Sequence, residues 1–216
     1  MLGAVTSADW PLWGLRVRYA GLDLIPATEA DLPALVAALP DDVEQDPRAT
    51  TYDIDPRRQR GVVVHQTYWR DYGTWRPEAW RLPFLVRRDG RLLGLQELEA
   101  TDFPTLRTVD SSSWLVPDER GTGTAKAMRR AVLALAFGPL EAQAAISSAW
   151  HDNLASLGVS RSLGYEPNGE SFLRRGDRAD TLVHLRLSRA QWLSTGVAGD
   201  VTIEGFAAAR PFFGLA

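Results

Sequence analysis

The chain has 216 residues, with 24 basic and 27 acidic side chains and a formal net charge of −3 at pH 7. This length suits one domain, and the acidic balance argues against a general nucleic-acid binder. No cysteine is present, which excludes a disulfide framework, a cysteine-based metal site and a cysteine nucleophile. No apolar run approaches the roughly 20 residues of a membrane-spanning helix, and the first residues do not resemble a signal peptide. The sequence therefore predicts a cytoplasmic protein with no membrane partner.

The N-terminal third of the chain predicts two short strands, then two helices separated by a polar loop. The spacing of Thr28 and Asp31 is typical of a capping box at the start of the first helix, and Pro40 marks its end. Apolar residues follow with helical spacing in both helices. The predicted bounds are 15–19 and 22–26 for the strands, 28–39 for the first helix, 41–57 for the loop and 58–72 for the second helix.

From residue 82 the apolar pattern changes to the period of two that is typical of strands. Asp89–Gly90 predicts a tight hairpin turn between the first two strands, and Phe103–Pro104 predicts a second turn. The three strands are expected at 82–87, 92–101 and 106–116. Together they predict an antiparallel meander.

The remaining elements alternate between helices and strands. A helix is expected through Phe137, then a buried strand at 142–149, a helix at 154–163 capped by Asn153, a hairpin of strands 170–175 and 181–187, and a helical turn at 188–193. Because the order is βββαβαββ, the sheet must be mixed. We expect a single domain over residues 1–194. The tail 195–216 has no predicted element or role, and its apolar residues would pack on this domain or on a neighbouring chain.

A glycine-bearing loop at 118–124 is the strongest functional signal. It lies between a strand and a helix, where converging backbone N–H groups and the helix dipole favour an anion such as pyrophosphate. The sequence lacks the Gly-x4-Gly-Lys-Ser/Thr string of a P-loop. A dinucleotide-binding fingerprint would need a glycine at the position of Lys126, the only lysine in the chain. This difference weakens the case for a nicotinamide-dependent oxidoreductase. The pattern that matches is Arg-x-x-Gly-x-Ala, from Arg120, Gly123 and Ala125, with a plain glycine turn as the alternative.

This pattern resembles the coenzyme A pyrophosphate loop of the GNAT N-acyltransferases. The family places the loop after the fourth strand of an antiparallel sheet, which the strand at 106–116 supplies. It also expects a later helix with an Asn-x-x-Ser start and a Leu-Gly-Tyr end, matched by Asn153–Ser156 and Leu163–Tyr165. This half resembles the RimJ/RimL-like branch. The resemblance covers about residues 15–193 and implies an α/β (α+β) fold, with a mixed, mostly antiparallel central sheet flanked by helices.

The resemblance implies a site for acetyl-CoA or another acyl-CoA as co-substrate. The loop amides would bind the phosphates, and the Arg120 guanidinium would add a contact. Leu115 and Val116 would lie where two strands splay apart around the pantetheine arm, and a backbone N–H there would polarise the thioester carbonyl. Asn153 would contact the pantetheine arm, cap its helix, or do both. The implied cofactor-binding residues are Leu115, Val116, Arg120, Gly121, Thr122, Gly123, Thr124, Ala125 and Asn153.

The catalytic residues are expected on the same helix and on two strands. The resemblance implies that Ser156 protonates the departing CoA thiolate, and an inert helix serine is the alternative. Because an amine arrives protonated, a base is useful. Asp110 is the first candidate and Glu97 and Glu99 follow, each with a solvated strand carboxylate as the alternative. An inserted residue in the strand at 106–116 would change which side chains share a face.

Four aromatic residues precede the sheet, in the segment that lies over the acceptor in the resembled family. They are expected to form a wall of the substrate pocket, or alternatively to pack in the core or at a subunit contact: Trp69, Tyr72, Trp75 and Trp80. The histidines are scattered without metal-ligand spacing, so no metal site is expected.

These features together predict an N-acyltransferase that moves an acyl group, by default acetyl, from acyl-CoA to a primary amine. Without cysteine no thioester acyl-enzyme can form, so direct attack in a ternary complex follows. The alternatives are a succinyl-type donor with a small-molecule amine, and a CoA-binding or sensor module without catalysis. The acceptor is an amine-bearing small molecule or a protein N-terminus, no nucleic acid is involved, and a homo-oligomer, most simply a dimer, is expected.

Overall fold

Two β-sheets organise the part of the chain that the computed structural model describes, which is residues 8–44, 49–195 and 200–215. The strands are β1 (Arg16–Tyr19), β2 (Leu22–Pro26), β3 (Ala79–Arg88), β4 (Arg91–Thr101), β5 (Thr108–Val109), β6 (Ser113–Leu115), β7 (Ala144–Trp150), β8 (Glu166–Arg175), β9 (Arg178–Ser188) and β10 (Thr202–Glu204). The α-helices are α1 (Leu32–Ala38), α2 (Pro56–Gly73), α3 (Phe103–Leu106), α4 (Thr124–Phe137), α5 (Leu154–Ser162), α6 (Arg189–Ser194) and α7 (Phe206–Ala209).

The first sheet has the strand order β10-β1-β2-β3-β4-β6, and the second has β5-β7-β9-β8. Every strand pair is antiparallel except β5 with β7. The predicted meander corresponds to β3, β4 and β6. The predicted fold class, a mixed and mostly antiparallel sheet arrangement flanked by helices, is confirmed.

The predicted single strand at 106–116 is wrong, because the chain divides there into α3, β5 and β6. The pairing with β4 keeps one register from Gln96↔Ser113 to Glu99↔Asp110, so no residue is inserted. Between these pairs Glu97 N donates to the Ser112 carbonyl at 2.8 Å, and the buried Gln96 side chain adds bonds from its Nε2 to the carbonyls of Glu97 at 3.0 Å and Ser112 at 2.9 Å. β5 pairs with β7 in the second sheet, while β6 stays with β4. The two sheets therefore part after this point and leave an opening between β6 and β7.

The helices lie on both faces of the first sheet. On one face α4 contributes a continuous apolar surface, including Met128, Val132 and Leu135, to the main core. On the other face α1 and α2 pack on β3 through Leu35, Tyr68 and Leu85. This second, smaller cluster leaves room for the cavity described below.

The first two helices begin at different residues from those predicted. The capping box at Thr28 is confirmed, with the backbone N and Oγ1 of Thr28 donating to Asp31 Oδ2 at 2.9 and 2.7 Å, but it caps a short 3-10 turn, and α1 begins at Leu32. The second helix, α2, begins at Pro56 because Asp55 caps it by accepting from two backbone amides of its first turn.

The tail, which had no predicted element, packs against its own domain. β10 pairs with β1 at the edge of the first sheet. Phe213 is fully buried, and Trp75 Nε1 donates to the Phe212 carbonyl at 2.9 Å. The described residues 200–215 therefore contribute to the core.

Candidate active site

The glycine-bearing loop forms an open cradle of backbone amides at the start of α4. Gly121 and Gly123 have φ of +75° and +91°, and no atom lies within 4 Å of the place where a Cβ would stand on either residue. Among the described residues, no hydrogen-bond partner occurs for the amides of Gly121, Thr122, Gly123 and Ala125. Free amides at the positive end of a 14-residue helix form an arrangement that suits a phosphate group.

A buried carboxylate holds this loop in place. Glu119 is only 8% exposed, and its carboxylate accepts from Arg88 at 3.0 Å and from Thr124 Oγ1 at 3.0 Å. Thr122 Oγ1 donates to the Glu119 carbonyl at 2.8 Å. Because these bonds fix the two ends of the loop, the free amides are held in position before any ligand arrives.

Arg120 already has an acidic partner from the loop between α1 and α2. Its guanidinium donates two hydrogen bonds to Asp42, at 2.6 and 2.8 Å, and its Nε donates to the Leu115 carbonyl at 3.2 Å. This pair lowers the pKa of Asp42 from its ordinary value, chiefly through the hydrogen bond. Any phosphate contact of Arg120 would therefore compete with Asp42.

The same loop also contacts the other side of the opening. The Glu44 carboxylate accepts from Trp150 Nε1 at 2.9 Å and from Arg175 Nε at 2.9 Å. Because Arg120 follows β6 and Trp150 ends β7, residues 42–44 span the opening from one edge to the other.

The register of β6 decides which backbone amide faces the opening. Val116 N donates to the Leu93 carbonyl at 2.8 Å, so it is used within the first sheet. Leu115 faces Gly94 in a pair without mutual hydrogen bonds, so its N–H points away from β4 and into the opening. Of the two residues predicted at the splay, Leu115 is the one whose amide is available to a carbonyl oxygen.

The Asn153–Ser156 motif lies at the start of α5, directly after β7. Asn153 Oδ1 accepts from the Ser156 amide at 3.0 Å, so the cap is present. The Asn153 side-chain nitrogen and the Ser156 hydroxyl have no hydrogen-bond partner among the described residues. Both groups are thus available on the β7 side of the opening.

A cavity of about 200 Å³ lies between α1 and α2 on one side and β3, β4 and β6 on the other. Its apolar walls include Leu32, Leu35, Leu95 and Trp114, and its polar lining includes Asp71, Arg81 and Glu97. An apolar pocket with a few convergent charged groups is typical of a small-molecule site.

The unbroken register brings the predicted carboxylates to one face. Glu99 lies opposite Asp110, and Glu97 lies opposite Ser112, whose hydroxyl donates to Glu97 at 2.5 Å. Glu97 lines the cavity. Arg81 forms an ion pair with Glu99, and burial raises the pKa of Glu99 and of Asp110. Asp110 accepts from the Ser111 amide at 2.6 Å and is not among the residues that line this cavity.

Asp71 on α2 lines this cavity and is not among the residues predicted from the sequence. It is 6% exposed, and its Oδ2 has no hydrogen-bond partner among the described residues. Burial, with a smaller contribution from Glu97, raises the pKa of Asp71 to about 6. The signal was present, because Asp71 continues the inward stripe of Val64 and Tyr68 along α2.

The four predicted aromatic residues do not form one wall of this cavity. Tyr72, Trp75 and Trp80 pack against one another, with Tyr72 Oη donating to the Ala27 carbonyl and Trp80 only 4% exposed. Trp69 is 52% exposed and contacts the ring of His65. None of the four lines the first cavity, and Trp80 lines a second one.

Within residues 8–44, 49–195 and 200–215, no group of three or more acidic or histidine side chains is arranged to hold a metal ion. No helix in these ranges is both long and apolar enough to cross a membrane.

The comparisons with known proteins follow this geometry. Residues 22–166 match the family described as "Acetyltransferase (GNAT) domain". Among solved structures, RimJ from Mycobacterium smegmatis in complex with CoA-disulfide aligns with a TM-score of 0.62 at 17% identity, covering 86% of this chain and 94% of that one. A spermidine N-acetyltransferase SpeG chimera from Vibrio cholerae and hSSAT aligns with a TM-score of 0.62 at 14% identity, covering 81% and 99%. A putative ribosomal-protein-serine acetyltransferase from Vibrio cholerae aligns with a TM-score of 0.59 at 13% identity, covering 80% and 97%. At these identities the structural neighbours establish the shared fold, while the family match spans well over half of the sequence. The chain therefore belongs to the GNAT acetyltransferase family.

Proposed function

We propose that this protein is an N-acyltransferase of the RimJ/RimL-like branch, which moves an acyl group, by default acetyl, from acyl-CoA to a primary amine. One observation carries the proposal: β6 has a carboxylate-bearing cavity beside its Trp114 and a cradle of unpaired amides directly after it. The cradle suits the phosphates of the donor, and the cavity suits the amine of the acceptor. The two substrates would meet in one ternary complex.

On the donor side, the amides of Arg120 through Ala125 would bind the pyrophosphate. The pantetheine arm would enter between β6 and β7, beside Val116 and the Asn153 side chain. The Leu115 N–H would donate to the thioester oxygen and stabilise the negative charge that develops on it.

The chemistry is a direct aminolysis. The neutral amine attacks the thioester carbonyl carbon and the C–N bond forms. The nitrogen then gives up one proton to solvent, and the C–S bond breaks to release CoA thiolate and leave a neutral amide. The Ser156 hydroxyl would deliver a proton to the sulfur and recover one from solvent. Of the three candidate bases predicted from the sequence, Glu97 is favoured over Asp110 and Glu99, because Glu97 lines the first cavity.

The acceptor is a primary amine on a small molecule or at a protein N-terminus. A cavity of about 200 Å³ accommodates a slender aliphatic amine or one terminal residue, which fits both kinds of acceptor. Structural neighbours carry names of both kinds, a spermidine acetyltransferase and a ribosomal-protein-serine acetyltransferase.

Calorimetric titration with acetyl-CoA and CoA tests the donor site. We expect binding at micromolar ligand, weakened about tenfold or more by Gly121→Ala, because a methyl group would enter the cradle at a positive φ. Gly176→Ala is the matched control, since Gly176 also has a positive φ and open space around its Cβ position but lies in the β8–β9 hairpin. Absence of binding to the wild-type protein at high micromolar CoA would rule out the proposal.

Turnover of an amine panel, read by mass spectrometry with acetyl-CoA and succinyl-CoA, separates catalysis from CoA binding alone. Ser156→Ala should lower kcat about tenfold or more with unchanged CoA affinity. Ser162→Ala, whose hydroxyl is bonded within the same helix, should leave kcat unchanged. CoA binding without turnover of any amine would instead indicate a binding or sensor module.

A further inference from the structure

The wall shared by two cavities carries a cluster of charged side chains. Beside the first cavity lies a second, more polar one of about 480 Å³, and both are lined by Arg70, Asp71 and Arg81. The second cavity also includes the exposed residues Arg76 and Thr101. Asp71 therefore lies between an apolar pocket and a polar cavity bordered by surface residues.

The hydrogen bonding of Asp71 is incomplete. Its Oδ1 accepts from Arg70 at 3.2 Å, and Arg70 is half exposed. Its Oδ2 is buried and has no partner among the described residues. Buried acceptors are almost always hydrogen-bonded, because leaving one unsatisfied has a cost in stability. A ligand that donates to Oδ2 would remove this cost.

No cation on the neighbouring strands satisfies this oxygen. Arg81, on β3, pairs with Glu99 on β4. Glu97, also on β4, adds negative charge near Asp71 and has the Ser112 hydroxyl as its own partner. The missing donor at Asp71 is therefore best supplied by a positively charged group in the first cavity, and an alkylammonium has the right charge and donors.

We propose that Asp71 binds the ammonium group of the acceptor in the first cavity and receives the proton that the amine loses before it attacks the thioester. This inference rests on the proposed function and makes Asp71 a catalytic residue, with Glu97 as a second carboxylate that favours a cationic substrate. In this step an N–H bond of the ammonium breaks, the proton moves to the Asp71 carboxylate, and a neutral amine remains. The proton then leaves through the second cavity.

Burial agrees with this role. The pKa of Asp71 is raised to about 6, first by desolvation and then by Glu97, while Arg81 and Arg70 act in the opposite direction. A carboxylate that titrates near 6 is ionised at neutral pH and takes up a proton from an ammonium more readily than an ordinary aspartate does. Activity that depends on ionised Asp71 should fall as the pH decreases through about 6.

The test compares Asp71→Asn with the wild-type enzyme by measuring kcat/KM for n-butylamine and 1,4-diaminobutane between pH 5 and 8. In the wild type we expect the acidic decrease near pH 6. Asp71→Asn should lose this decrease and raise the KM for the amine about tenfold or more, with the KM for acetyl-CoA unchanged. Glu166→Gln, which neutralises an exposed carboxylate on β8, should match the wild type in all three quantities.

Retention of the acidic decrease and of the amine KM in Asp71→Asn would overturn the inference while leaving the proposed function intact. A loss of kcat with equal changes in both KM values would also overturn it, since that indicates a general structural effect.

If the wild type turns over no amine, the proposed function fails separately. In that case, calorimetric binding of n-butylamine to the CoA complex decides the inference: weaker binding to Asp71→Asn supports it, and equal or no binding overturns it. Thermal unfolding of both variants at pH 7 checks that they are folded.

Discussion

Single residues with incomplete hydrogen bonding lie around the point where the sheets part. Gln96 Oε1, Ser111 Oγ, Tyr165 Oη and Arg129 Nε are all buried without a partner among the described residues. Arg129 is only 4% exposed, and its Nη1 donates to Ser147 Oγ at 3.2 Å. Such groups lower stability, because each loses hydration without full compensation. This region therefore keeps polar groups beside the opening at the expense of stability.

Asp71 allows a prediction about stability at the residue scale. Its pKa is higher in the folded protein, about 6, than in the unfolded chain, so the folded state binds more protons between about pH 4 and 6. Stability from this group is then present at low pH and is lost as the pH rises through about 6. A difference of about 2 pKa units corresponds to about 3 kcal/mol.

We therefore expect Asp71→Asn to be more stable than the wild type at pH 7, by up to about 3 kcal/mol, and equal to it near pH 4. The pair with the half-exposed Arg70 lowers the pKa of Asp71 less than burial raises it, so it does not change this sign. Urea unfolding at several pH values measures the difference, with Glu166→Gln as the control. A difference in the free energy of unfolding that stays constant from pH 4 to 7 would contradict the raised pKa of Asp71.

At the scale of elements, the close approach of β4 and β6 positions the opening. At Gly94 a Cβ would lie 2.1 Å from the Trp114 carbonyl oxygen and 3.0 Å from Leu115 Cα. Both are backbone atoms of β6, so the strand itself would have to move. Gly94 therefore allows β6 to pair tightly with β4 directly beside the Leu115 amide.

We predict that Gly94→Ala lowers the free energy of unfolding by about 2–4 kcal/mol, because a contact this short forces a backbone shift. It should also weaken CoA binding, since β6 forms one edge of the opening. The matched control is Gly158→Ala on α5, where a Cβ meets nothing within 4 Å; there the change should raise stability by about 0.5–1 kcal/mol. Equal effects of the two changes on urea unfolding would refute the importance of the close contact between β4 and β6 at Gly94.

At the scale of the whole molecule, the two ends of the described chain complete the core together. β10 extends the first sheet next to β1, and the aromatic residues that precede the meander pack against the tail. Phe213 lies 4.9 Å from Trp80 and 5.5 Å from Trp75 between ring centroids. Trp75 and Trp80, which the sequence suggests as part of a substrate wall, thus pack against the tail.

Phe213→Ala should therefore destabilise the protein by about 3–5 kcal/mol, the usual cost of removing a fully buried phenylalanine. Phe172→Ala is the natural comparison, because Phe172 is 79% exposed on β8 and should change stability by no more than about 0.5 kcal/mol. Urea unfolding of both variants measures the two effects. A small loss for Phe213→Ala would mean that the tail is not part of the cooperative unit.

Local patterns predicted most of the elements because each depends on nearby residues. The hairpin turn at Asp89–Gly90, the cap at Asn153 and the glycines of the loop act within a few positions of themselves. The divided strand was missed because its first part pairs with β7, a segment that lies later in the chain. Asp71 was missed for a similar reason: its burial depends on β3 and β4, which lie later in the chain.

By itself the sequence determined the order of most strands and helices before the tail, the glycine loop before α4 and the Asn153–Ser156 motif, and the absence of cysteine excluded a thioester acyl-enzyme. These follow from short-range geometry and composition. Only the tertiary structure decided which carboxylate lines the cavity, which amide faces the opening, and that the tail completes the core. Each of those depends on strand register and on burial, which arise when distant segments pack together.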